Sequence, residues 1–73
     1  MTRRRYTIVI EKSPKSYGAF VPDLPGCVAV AKTQPAVMKL IREAVGLHLE
    51  DLRAHGRPLP RPSVVAGSVE VAV

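Results

Sequence analysis

Val21-Pro22-Asp23-Leu24-Pro25-Gly26-Cys27 is the stretch on which the fold turns. Each proline pins its own φ and pushes the residue before it toward extended backbone, so Val21 and Leu24 are both biased to β. Leu24-Pro25-Gly26-Cys27 carries Pro and Gly at its two central positions, the pattern of a type II turn. The run therefore reads as strand, rigid turn, strand.

Working toward the N-terminus, Tyr17 to Val21 forms the strand that enters the turn. Lys12-Ser13-Pro14-Lys15-Ser16 is polar and proline-broken, a hairpin loop. Tyr6-Thr7-Ile8-Val9-Ile10-Glu11 is rich in β-branched and aromatic residues and reads as a first strand, with Tyr6, Ile8 and Ile10 on one face. Beyond the turn, Cys27 to Ala31 forms a third strand. Its small apolar side chains on both faces imply burial on both sides or against a second subunit.

Thr33 then offers a helix cap, and Pro35 falls in the first turn, where a missing N–H costs little. Val37, Leu40, Ile41, Ala44, Val45, Leu49 and Leu52 recur at spacings of three and four. Gly56 supplies a stop, with Arg53 and His55 at the negative helix end. The pattern predicts one helix over about 34–55. Residues 57–63 hold three prolines and read as an extended connector. Ser68-Val69-Glu70-Val71-Ala72-Val73 alternates again and is expected to form a final strand.

The expected architecture is α+β: one domain over 1–73, two layers, order β-β-β-α-β. Three antiparallel strands form a meander, and the last strand returns beside the first, giving a four-stranded mixed sheet of order 3-2-1-4. One helix covers one face. The other face, with Val9, Phe20 and Val28, has no second layer, so a homodimer or larger homo-oligomer is expected.

At 73 residues the chain has room for one small core, whose margin of stability is thin. The single Cys27 excludes an internal disulfide and fits a reducing compartment. The N-terminal Met1-Thr2-Arg3-Arg4-Arg5 is followed by too short an apolar run for a signal peptide. No run approaches the length of a membrane helix, and the chain reads as cytoplasmic.

Candidate catalytic groups are few. His48 and His55 lie about 10.5 Å apart along a helix, too far to chelate one metal. Cys27 has no base placed beside it by sequence. Glu11, Asp23 and Glu70 do not converge as a two-metal site requires, and a turn aspartate has a sufficient role in capping backbone N–H groups. The sequence therefore predicts no catalytic residue, no metal and no cofactor. Eleven Lys and Arg against six Asp and Glu give a net charge of +5. Arg3, Arg4, Arg5, Arg57 and Arg61 are the clustered positives, and they carry an alternative reading as a small basic nucleic-acid-binding protein.

The central run also resembles a known family. Tyr6, Tyr17, Ala19, Val21 to Cys27, Thr33, Glu43-Ala44-Val45, Leu47-His48-Leu49-Glu50 and Pro58-Leu59-Pro60-Arg61-Pro62 match the pattern of HicB-like antitoxin domains. The resemblance spans roughly residues 6 to 62. It implies a small α+β domain with a truncated ribonuclease H-like fold lacking that fold's active site. It also implies a protein-binding module that silences a small RNA-cleaving toxin of HicA type. Tyr17, Asp23 and Leu24 are the expected partner-binding residues. Many family members continue into a DNA-binding domain. Residues 63 to 73 are too few for one, so the chain reads as a solitary member without it.

Overall fold

A computed structural model describes residues 3–73. Its element order is β1 (Val9–Lys12), β2 (Tyr17–Phe20), β3 (Val28–Ala31) and α1 (Gln34–Ala54). The three strands form one antiparallel sheet in the order β1-β2-β3. Val9 pairs with Phe20 and Phe20 with Val28, while Glu11 pairs with Gly18 and Gly18 with Val30. The hairpin is closed by the Ser13 N–H donating to the Ser16 carbonyl at 2.8 Å.

Local chemistry sets both ends of the helix. The Thr33 hydroxyl accepts from the Ala36 N–H at 3.2 Å, and Pro35 occupies the first turn. At the far end Gly56 takes φ +66°. Its N–H donates to the Arg53 carbonyl at 3.1 Å, and the Arg57 N–H donates to the Leu52 carbonyl at 2.9 Å. That pair of bonds is a Schellman ending, which a residue with a Cβ adopts only under strain.

The helix packs on β2 and β3. The core is Ala19, Val21, Leu24, Cys27, Val37 and Ile41, with Tyr6, Ile8, Ile10, Tyr17, Ala29, Ala31, Met38, Ala44, Val45 and Leu49 packed around it. Three of the six core residues, Val21, Leu24 and Cys27, come from the turn run itself, so the turn is an inner wall as well as a connection. Leu40, expected in the buried stripe, is 43% exposed. It sits one step round the helix from Ile41, beyond the sheet's reach.

The fourth strand expected over residues 68–73 does not form, and neither does the mixed four-stranded sheet of order 3-2-1-4. Residues 57–73 carry no strand pairing. Val65, Val69, Val71 and Val73 are 90%, 84%, 66% and 120% exposed. Alternating valines give strand propensity, but a strand also needs an edge to bond and a face to bury. The tail takes up neither within its own chain. Within the chain β3 is covered on one face only: Ala29 and Ala31 face the helix, while Val28 and Val30 are 63% and 68% exposed.

Leu24 is fully buried between turn and helix. Leu24→Ala removes that contact from a core of only six buried residues. It is expected to cost about 2–5 kcal/mol, roughly half the stability of a domain this size. Urea unfolding followed by helical circular dichroism measures the loss.

Candidate functional site: the turn, the connector and the helix face

The turn is two tight turns in series. The Leu24 N–H donates to the Val21 carbonyl at 3.0 Å, and the Cys27 N–H to the Leu24 carbonyl at 3.0 Å. Gly26, at φ +85°, takes the left-handed position that a type II turn requires. The Val21 N–H closes the loop on the Cys27 carbonyl at 3.2 Å. Leu24 and Cys27 point inward, and Asp23 points away from the core to meet the connector.

The Asp23 carboxylate accepts the Ser63 N–H at 2.9 Å, the Val64 N–H at 3.2 Å and the Ser63 hydroxyl. The cap expected of a turn aspartate thus falls on backbone 40 residues away in sequence, not on its neighbours. The Ser63 hydroxyl, and next the Ser63 N–H, lower the carboxyl's pKa. Desolvation opposes them, and the Val64 N–H adds a smaller lowering. The connector is bound from the other side as well. Arg4 donates to the carbonyls of Leu59 and Pro60 at 3.0 Å each, the Tyr6 hydroxyl donates to the Pro60 carbonyl, and the Thr7 hydroxyl donates to the Val64 carbonyl at 2.6 Å. Residues 59–64 therefore run alongside residues 4–7 in the same direction.

Of the expected partner-binding residues, Tyr17 is half-buried on the core, Leu24 is wholly inside, and Asp23 is half-buried with its carboxylate engaged. Of the expected basic residues, Arg4 is committed to the connector carbonyls. That bond brings the Arg3-to-Arg5 segment beside the one bearing Arg57 and Arg61, all five side chains being exposed. Burial raises the Cys27 thiol above its ordinary pKa, which lowers its thiolate fraction. His48 is half-buried. His55 caps the helix, its Nδ1 lying 2.8 Å from the Asp51 carbonyl. Among the described residues no three His, Cys, Asp or Glu side chains are grouped to hold a metal. Among the same residues no helix is long and apolar enough to cross a membrane.

Sequence reasoning missed Leu47. It is 68% exposed and shares a face with Leu40, seven residues earlier. With Glu43, Gly46 and Glu50 it lines a shallow surface depression of about 440 Å³. The signal was available, since Leu47 is apolar yet falls outside the buried stripe, between two glutamates.

Comparison with known proteins places this arrangement. Residues 6–71 match the family described as the HicB-like antitoxin of bacterial toxin–antitoxin systems. The chain belongs to the HicB-like antitoxin family. A UPF0150 protein of Helicobacter pylori is 40% identical over 65 residues, covering 88% of this chain and 90% of that protein. One from Thermoplasma acidophilum is 36% identical over 58 residues, covering 78% and 84%. One from Synechocystis is 32% identical over 69 residues, covering 93% and 87%. In this HicB-like chain the Pro-Asp-Leu-Pro-Gly run is the double turn whose aspartate holds the connector.

The clamp is pH-dependent. Asp23 ionises below its ordinary range in the folded chain, so the clamp is fully made above a pH of about 4. It is released as pH falls through the lower folded-state value. The amide resonances of Ser63 and Val64 are expected to move together on acidification in the native protein. In Asp23→Ala, which has no acceptor, they are expected to stay at the released position at every pH.

Proposed function

We propose that this chain neutralises or sequesters a small RNA-cleaving toxin of HicA type, acting by binding and carrying out no chemistry of its own. The observation that carries the reading is family membership over residues 6–71. The reading places the chain in the cytoplasm as a single domain and a homo-oligomer, on a ribonuclease H-like scaffold with no catalytic residue, metal or cofactor.

The helix's outer side is the proposed toxin contact. A protein that grips RNA presents cations to phosphate. The surface that blocks it should offer an apolar anchor within an acidic rim. Leu47 between Glu43 and Glu50 has that composition. Tyr17, Asp23 and Leu24 shape the contact region from beneath, Leu24 by holding the turn on the helix and Asp23 by holding the connector. The rigid turn costs little entropy to keep in a bound shape.

A second reading has one observation in its favour. The Arg4 bonds to the Leu59 and Pro60 carbonyls gather Arg3, Arg5, Arg57 and Arg61 into one region. That region would bind nucleic acid with steep salt dependence.

Co-expression with an RNA-cleaving toxin of HicA type from the native host tests the first reading. The native chain is expected to restore growth and to co-purify with the toxin. Leu47→Lys, on an exposed site, leaves the fold intact and is expected to weaken toxin binding by about 100-fold. Nucleic acid bound at physiological salt and lost on replacing Arg3 and Arg5 with Ala, with no toxin captured, favours the second reading.

A further inference from the structure

The chain exposes 6209 Å² of surface. A folded monomer of its mass exposes about 4,400 Å². Its radius of gyration is 14.1 Å, against about 11 Å for a compact domain of this length. The excess surface, about 1,800 Å² per chain, is as much as two partners together bury in an ordinary interface. Two such chains hold enough to supply the larger interface of an obligate dimer.

The excess has a definite address. On the sheet face away from the helix, Val9, Phe20 and Val28 form one cross-strand row, and Glu11, Gly18 and Val30 form the next. Phe20, Val28 and Val30 are 38%, 63% and 68% exposed. Nothing lies within 4 Å of where a Cβ would stand on Gly18. The missing side chain leaves a trough of about 340 Å³ lined by Glu11, Ser13, Phe20, Val28 and Val30. The other part is the tail. Val69, Val71 and Val73 alternate along it in sequence and are exposed.

We propose that a second copy of this chain covers the helix-free sheet face, laying its Val69-Val71-Val73 side along the trough over Gly18. The last anchored residue is Val64, held by Asp23 and Thr7. From it nine residues extend, a reach of about 30 Å, enough to cross to a neighbouring molecule. Within its own chain the tail makes no strand and leaves the outer edge of β1 unpaired. A twofold axis makes the exchange reciprocal, each tail covering the other's sheet. The contact supplies the homo-oligomer named above and involves a different face from the toxin's.

Sedimentation equilibrium at micromolar concentration, without toxin, tests this independently of the antitoxin reading. The native chain is expected at twice its mass. The double variant Val69→Asp/Val71→Asp and the single variant Val28→Lys are each expected to raise the dissociation constant by about 100-fold or more. Both alter exposed side chains, and unchanged helical circular dichroism verifies the fold. A native chain that sediments at the mass of one chain overturns the proposal, as does a dimer that both variants leave intact. So does a dimer broken by Val28→Lys but untouched by the tail variant, which would mean that the sheets meet without the tails.

Discussion

One carboxylate decides where this chain goes after its helix. Asp23 stands at the tip of a double turn whose other side is core, and it bonds two consecutive backbone N–H groups and a hydroxyl at Ser63 and Val64. A carboxylate accepting several N–H and O–H donors is among the stronger uncharged-donor arrangements a surface can hold. It works here because the turn is rigid: Pro22, Pro25 and the positive-φ Gly26 leave Asp23 little freedom. The connector is thereby drawn alongside residues 4–7, and the remaining tail departs from a fixed point.

From that geometry three surfaces follow, each with its own chemistry. The inner faces of β2, β3 and α1 close on Leu24, Val37 and Ile41. The helix's outer side carries Leu40 and Leu47 with Glu43 and Glu50, apolar with an acidic border. The sheet's outer side is almost wholly apolar. The net charge of +5 does not describe any of them. Its clustered part resides in the two terminal segments that Arg4 ties together, which is why overall charge is a poor guide to what the helix face binds.

Much of this was legible in the residues. The helix, Gln34–Ala54, matches the 34–55 expected because its signals are local: Thr33 caps it, Gly56 ends it, and the apolar spacing lies within single turns. The type II turn and the hairpin are likewise dictated by residues in contact with their own neighbours. What could not be read depends on distant partners. Asp23 was taken as a cap for its own turn, and no local pattern marks Ser63 as its partner. The alternation of Ser68 to Val73 reported strand propensity correctly but could not say that the tail would stay unpaired beside a free β1 edge. The exposed Val9, Phe20 and Val28 face was anticipated because a sheet with one helix must leave one side open. Leu47 was passed over because it lies outside the buried stripe, although an apolar residue there, between Glu43 and Glu50, already set it apart.

The central claim is that this chain acts by binding a toxin and not by chemistry of its own. The most direct measurement is RNA cleavage by a purified toxin of HicA type, titrated with the purified chain. The account predicts that cleavage falls to background near one chain per toxin and that the chain alone leaves the RNA intact. Cleavage that continues at full rate with the chain in excess, or RNA cut by the chain alone, would contradict it.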